Sequence, residues 1–377
     1  MMWKFPLYEV DTAIDWQQIE ATFDWFRDMQ GVPQDPIWHA EGDVFVHTKM
    51  VVEALINLPE FNELNEQDKH VLVTAALMHD IEKRSTTTTE IIDGESRIVS
   101  PRHAKKGEFT ARTILYREMD APFEIREQIA KLVRLHGLPL WAIEKENPVK
   151  EVLYASQVVN TEHLSMLAKA DILGRICQDE EDILFRIELF NELCKDHQCF
   201  GKNRQFPSGY GRFQYFNKSE VAPDYTPFDD LKFDVYLLCA LPGSGKDRYI
   251  QQHLQLPVLS LDDIRREHKI NPTDKKKNGQ VIQMGQEKAR EFMRAHTSFV
   301  FNATNITGDM RNKWISLFTE YGGRVTIVYI EVPYRQLLSQ NRNREYPIPA
   351  AALEKMIGKL EIPTYREAHE IKWVVQS

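Results

Sequence analysis

A change of hydrophobic period near residue 200 limits most strongly what this chain can fold into. Before it, apolar residues recur three and four apart over 15–29, 44–58, 67–79, 108–119, 123–136, 161–176 and 182–197, which predicts helices and little else. Only residues 85–98, with a threonine run and Asp93-Gly94, read as a loop or short hairpin. Beyond residue 232, short apolar runs at 234–239, 258–261, 298–301 and 324–330 alternate with helix-period segments at 247–254, 280–295, 308–321 and 334–341. Such alternation predicts a parallel sheet covered on both faces. Between the two patterns, residues 201–232 carry Gly201, Pro207, Gly209, Gly211, Pro223 and Pro227 and predict a linker. The expected fold class is two domains: an all-α helical bundle over 1–200, then an α/β domain with a parallel sheet over 233–377.

Charge follows the same division. Residues 1–228 hold 25 Lys and Arg against 38 Asp and Glu, whereas residues 229–377 hold 22 against 18. Apolar and charged contents of 42% and 27% exclude a disordered or fibrous chain. No apolar run approaches the ~18–20 residues of a membrane span, and the opening residues lack a secretory-signal pattern. The four cysteines form no C-x-x-C pair, so neither a disulfide framework nor a thiolate zinc site is expected. A cytoplasmic protein, not associated with membrane, is the expectation.

Two groups of residues carry chemistry. His47, His79-Asp80 and His136 lie near the ends of predicted helices, and Asp171 lies within another. Imidazole or carboxylate at the end of an apolar helix is costly to bury without a partner. Together they suit manganese, iron, cobalt, nickel or zinc better than calcium. The second group is Ala240–Asp247, which reads Ala-Leu-Pro-Gly-Ser-Gly-Lys-Asp. It departs twice from the phosphate-loop pattern, with Ala240 for the first glycine and Asp247 for the hydroxyl residue. An apolar strand leads in and a helix leads out, so backbone N–H groups would face a phosphate. Gly243, Ser244, Gly245, Lys246 and Asp247 are the ATP-binding candidates. Lys246 would reach the β- and γ-phosphates, and Asp247 would hold magnesium, directly or through water, or serve as a helix start.

His47, His79-Asp80 and Asp171 resemble the signature of the HD-domain metal-dependent phosphohydrolases. His103 and His136 resemble the two further histidines of their two-metal members. The resemblance implies two divalent ions bridged by Asp80, ~3.5–4 Å apart, that generate a hydroxide nucleophile near neutral pH. Lys83 matches a lysine that follows the HD pair and contacts phosphate. The run His39-Ala40-Glu41-Gly42-Asp43-Val44 is similar to HD phosphohydrolases acting on RNA ends, including those attached to CCA-adding enzymes, which makes His39 a substrate-contact candidate.

In the second half, Ser260-Leu261-Asp262-Asp263-Ile264-Arg265 resembles the D-D-x-R element of 5′-OH polynucleotide kinases, including the bacteriophage enzyme. The resemblance implies Asp262 as general base and Arg265 as the clamp on the acceptor's phosphate. Residues 340–344 resemble that family's lid, with Arg344, or else Arg342, neutralising charge on the transferred phosphoryl group. Asn302, Thr304 and Asn305 occupy a strand end near the acceptor. Ala303 departs there, standing where the phage enzyme has an acidic residue.

Over nearly its full length the chain resembles the bacterial HD-domain phosphohydrolase–polynucleotide kinase fusions (HD-Pnk). That implies nucleic-acid end healing: removal of a 2′,3′-cyclic phosphate or a 2′ or 3′ phosphate, and phosphorylation of a 5′-OH from ATP or another NTP with magnesium. The implied partners are RNA or DNA ends and a polynucleotide ligase acting downstream. Two other readings stay open. One is an HD nucleotidase fused to a nucleoside kinase. The other is an ATP-dependent switch or binding module controlling the HD domain, against which the Asp262/Arg265 pair counts.

Overall fold

A computed structural model describes residues 2–271 and 274–376. The chain folds as two compact units, Met1–Arg204 and Gln205–Ser377. No helix among the described residues is long and apolar enough to cross a membrane.

The first unit is built around the helix Glu66–Met78. Asn65 starts it by accepting a hydrogen bond from the Asp68 N–H, with Glu66 and Asp68 in the first turn, where carboxylates complement the helix's positive end. Every residue from Lys69 to Met78 is buried, as a helix enclosed on all sides must be. Val44–Ile56, Phe123–Leu135 and Thr161–Leu173 pack around it. The segment 15–29, expected as one helix, is two: Trp16–Thr22 and Asp24–Arg27, broken at an extended Phe23. There Phe23 packs between Phe5 and Trp25, so tertiary contact overrides the local period. Residues 85–98 do form a hairpin: β1 (Thr88–Ile92) and β2 (Glu95–Val99) pair antiparallel. Asp93 and Gly94 turn it with φ of 53° and 82°, the left-handed pair that a two-residue hairpin turn needs.

The second unit is a five-stranded parallel sheet: β3 (Phe233–Cys239), β4 (Val258–Ser260), β5 (Phe299–Asn302), β6 (Gly323–Glu331) and β7 (Glu370–Val375), in the order β4-β5-β3-β6-β7. The chain leaves β3 to one side and later crosses to the other, so the order reverses at β3. In such sheets the binding crevice lies at the carboxyl ends of the strands beside that reversal. Phe299, Phe301, Trp314 and Phe318 cluster edge-to-face and tilted beside β5, with ring centroids as close as 4.2 Å. Strand β7 and the helices Pro148–Ser156 and Ala350–Ile357 were not expected from the pattern.

The stretch 201–232, expected as a linker, contains the helix Gly209–Asn217, which packs within the second unit. Arg212 donates to the carbonyls of Tyr365 and His369 at 3.0 and 2.9 Å, and Phe213 stacks on the His369 ring at 4.4 Å. A Cβ on Gly209 would lie 2.2 Å from the His369 carbonyl. That glycine marks a close approach, not a loose chain.

A similar approach fixes the first unit. At Gly174, which ends the helix Thr161–Leu173, a Cβ would lie 2.6 Å from the Val51 nitrogen and 2.7 Å from its Cα. Backbone atoms cannot swing aside as a side chain can. Gly174→Ala should therefore push the helix Val44–Ile56 outward at a cost of about 1–3 kcal/mol. Urea denaturation followed by far-UV circular dichroism measures this, and an unchanged midpoint would refute the tight approach.

Candidate functional site

Four histidines and two aspartates of the first unit converge. His79 caps the central helix, His136 caps Phe123–Leu135, His103 opens His103–Arg117, His47 lies in the first turn of Val44–Ile56, and Asp171 sits in the last turn of Thr161–Leu173. Asp80 stands between them. Its Oδ2 lies 3.3 Å from His79 Nε2 and 3.7 Å from His47 Nε2, and its Oδ1 lies 3.3 Å from His103 Nε2 and 3.9 Å from His136 Nε2. His47 Nε2 is also 3.1 Å from Asp171 Oδ1 and 3.3 Å from His79 Nε2. One carboxylate thus serves two histidine pairs, one on each oxygen.

The ring nitrogens facing away rest on backbone carbonyls or on Glu41. The Nδ1–H groups of His79, His103 and His136 donate to the carbonyls of Ala76, Ser100 and Val133, each three residues earlier, at 2.7, 2.7 and 2.8 Å. For His79 and His136 those acceptors are carbonyls near a helix end, where intrahelical partners run out. His47 Nδ1 lies 2.9 Å from Glu41 Oε1 and 3.3 Å from the Gly174 carbonyl. With Nδ1 protonated in each ring, every inward Nε2 is an acceptor. The cluster therefore gathers lone pairs from imidazole and carboxylate, and Asp80 Oδ1 is buried with no hydrogen-bond partner. Imidazole and carboxylate atoms gathered 3.1–3.9 Å apart form a donor set that suits divalent transition metals.

Surrounding charges fit that reading. Burial alone would raise Asp80, but Lys83, His79 and His103 hold it well below the usual carboxylate range; Lys83 Nζ is 2.7 Å from Oδ2. Burial would likewise raise Asp171, which Arg175 and His47 hold down. Arg175 grips it with Nε and a terminal nitrogen at 3.0 and 2.6 Å. Burial disfavours a charged His79, yet Asp80 and Asp171 raise its pKa, so a proton serves where cation charge is wanted. His136, by contrast, is pushed down to about 3 by burial and by His79, against the pull of Asp80. His39 sits at the edge, its Nδ1 2.8 Å from Glu41 Oε1.

In the second unit the loop after β3 turns on Gly243 and Gly245, with φ of 91° and 92°. Gly245 precedes the helix Lys246–His253, and a Cβ on it would meet nothing within 4 Å. Open space above a helix N-terminus is what a phosphate requires. Ser244 is buried, its N–H donating to the Leu241 carbonyl. The Asp247 carboxylate accepts from the Asn302 amide at 2.8 Å, tying the loop's helix to the end of β5. Burial lowers the Lys246 pKa; Asp247 and Asp262 oppose this and Arg344 adds to it, so these candidates share one neighbourhood. Asp262 pairs with Arg265 at 2.6 Å, and Arg265 also donates to Asn278 at 3.1 Å. Arg342 and Arg344 are exposed. They begin the segment that Asn341 closes through two hydrogen bonds to the Ile348 backbone, at 2.8 and 3.1 Å. Gly243 lies against Asn341 as well, since its Cβ would be 3.4 Å from the Asn341 nitrogen.

Among the substrate-contact candidates, Asn302 is engaged with Asp247. Thr304 contributes its carbonyl to the Ala240 N–H at 3.0 Å. Asn305 is buried, its amide donating to the Leu238 carbonyl at 2.8 Å; it braces β3 from within instead of facing a substrate. Sequence reasoning missed Glu41, Arg175 and Arg311. Arg175 was legible as an i,i+4 partner of Asp171. Arg311, buried against Glu367 and the Asn305 and Glu361 carbonyls, left no signal beyond a charge on an apolar helix.

Residues 44–179 match the family described as HD domain, and residues 235–363 the family described as AAA domain. An HD phosphohydrolase domain is thus fused to a P-loop kinase domain. This pairing and order are consistent with the HD-Pnk fusions. Solved structures similar to part of the chain include a candidate kinase from Chloroflexus aurantiacus (17% identity, 39% of this chain, 86% of that chain, TM-score 0.32). They also include the Pnkp1/Rnl/Hen1 RNA repair complex (19%, 37%, 46%, TM-score 0.32) and a sugar kinase from Janibacter sp. HTCC2649 (17%, 38%, 84%, TM-score 0.28). The match spans less than half of the RNA repair chain. A search of curated proteins gave no match.

The buried histidines make a pH prediction for the metal-free chain. His39 is lowered to about 4 and His136 to about 3, chiefly by burial, and His103 is lowered too. An unfolded histidine takes its proton near pH ~6.5, so acidification below that favours the unfolded state. His79, raised, opposes this alone within the cluster. The thermal midpoint of the chelated protein should fall steadily from pH 7 to pH 4, and His136→Gln should flatten the fall. A midpoint independent of pH over that range would contradict the burial of neutral imidazoles.

Proposed function

We propose that the chain is a bifunctional nucleic-acid end-healing enzyme, with a phosphohydrolase in the first unit and a 5′-OH polynucleotide kinase in the second. One observation carries this reading. A single chain pairs a His/Asp cluster able to hold metal ions with a glycine loop at a helix N-terminus, where Asp247 is tied to Asn302 at the end of β5 at 2.8 Å.

In the first unit, His47, His79, Asp80 and Asp171 would hold one divalent transition metal, and His103 and His136 with Asp80 would hold a second. Manganese, iron, cobalt, nickel or zinc fits this donor set. Cations bound there supply the charge that polarises a phosphate ester and acidifies water. Lys83 and His39 bind and orient the phosphate of a 2′,3′-cyclic or a 2′ or 3′ phosphate end. In the second unit, residues 243–247 cradle the phosphates of an NTP carrying magnesium. Asp262 takes the proton of the 5′-OH as its oxygen bonds to the γ-phosphorus and the nucleoside diphosphate leaves. Arg265 clamps the acceptor strand, and Arg344, with Arg342 beside it, neutralises charge on the phosphoryl group. The resulting 3′-OH and 5′-phosphate are the ends that a ligase joins, a task suited to the cytoplasm.

The decisive experiment incubates the protein with γ-labelled ATP and an oligoribonucleotide bearing a 5′-OH and a 2′,3′-cyclic phosphate, following both ends. Asp80→Ala should abolish end hydrolysis and spare 5′ phosphorylation, and Lys246→Ala should do the reverse. Loss of both activities from either change in a folded protein would defeat the two-site reading.

General-base assistance is worth about 10²–10⁴-fold, so Asp262→Ala should slow 5′ phosphorylation by that factor with little change in nucleotide binding. Arg265→Ala should weaken acceptor binding most for strands with a 3′-side phosphate. Near wild-type phosphorylation by Asp262→Ala would remove the polynucleotide-kinase assignment.

A further inference from the structure

Glu41 carries a side chain fully buried behind the metal cluster, in contact with two histidines and a backbone N–H. Its Oε1 lies 2.9 Å from His47 Nδ1 and is hydrogen-bonded to His39 Nδ1 at 2.8 Å, and its Oε2 accepts from the Ile176 N–H at 2.8 Å. No other cluster histidine is backed this way: His79, His103 and His136 rest on neutral carbonyls. A carboxylate behind an imidazole fixes its tautomer, makes Nε2 the more basic donor, and typically changes metal affinity by about 10–100-fold.

Charge makes the difference matter. The side of the cluster that contains His47 also carries two cations, Lys83 on Asp80 Oδ2 and Arg175 on Asp171. Apart from the shared Asp80, Asp171 alone would face both of them. Glu41 supplies a second negative charge on that side. The other side, His103 and His136 with Asp80 Oδ1, has no carboxylate of its own within the distances described.

We propose that Glu41 is a positioning residue that makes the His47–His79–Asp171 side the tighter of two unequal metal sites, so that the sites fill in order. This rests on the two-metal reading given above. Through the same oxygen Glu41 holds His39 at the cluster's edge, so ligand and substrate-facing histidine are oriented by one group.

Cobalt(II) titration of the metal-free full chain, read by visible absorption and by bound metal per chain, tests this. Wild type should bind two ions in two affinity classes. Glu41→Gln should weaken the tighter class about 10–100-fold and leave the looser one unchanged, while His39→Ala leaves both unchanged. Equal affinities in wild type, an unaltered tight class in Glu41→Gln, or an equal loss in His39→Ala would each overturn the proposal. Should Glu41→Gln fail to fold, as judged by circular dichroism, His47→Ala and His136→Ala decide. His136→Ala should retain the tight class and His47→Ala should lose it, and matching affinities would overturn the ordering. A wild-type chain that binds no cobalt would remove the two-metal reading itself, whereas two ions with an unaffected Glu41→Gln removes only the role of Glu41.

Discussion

The first unit depends on a carboxylate placed where no hydrogen-bond donor answers one of its oxygens. Asp80 follows the most enclosed helix of the bundle, and its Oδ1 faces two imidazole lone pairs in the interior. Burying such a group is expensive, and Lys83, His79 and His103 offset that expense, holding Asp80 well below the usual carboxylate range. Four other helices deliver their ends or first turns to this one point, so packing, capping and chemistry meet in the same residues.

The second unit meets a similar demand with backbone. Two left-handed glycines and a helix start present N–H groups to open space, and a parallel sheet whose order reverses at β3 holds that loop over the crevice. Side chains arrive from the ends of neighbouring strands and helices. Asp247, which replaces the usual hydroxyl, is answered by Asn302 across the crevice. The departure at Asp247 and the polar strand end 55 residues later are thus two halves of one local solution.

Much of this was legible in the sequence because the chemistry sits on contiguous runs. His79-Asp80 and residues 243–247 are short and directly follow apolar segments, so period and motif agree. Glu41 lies inside the run 39–44, but its place beside the cluster is set by His47 and by Ile176, which is 135 residues away. Strand β7 was missed because it is a partly exposed edge with charges on it, so its apolar run is weak. The linker expectation took Gly209 and Gly211 as breakers. Gly209 is where a helix meets a carbonyl, and the aromatics around it pack on the domain that follows. Asn305 shows the reverse error, since a polar residue at a strand end need not face solvent.

The contact between Gly243 and Asn341 has a mechanical consequence. Asn341 is at once the floor under the phosphate loop and the clasp that holds Ile348. The arginine-bearing segment between them is a closed stirrup hung from one side chain, both of its ends fixed at the nucleotide site. Its reach is limited to the slack of the residues between 341 and 348, so Arg342 and Arg344 stay beside the loop.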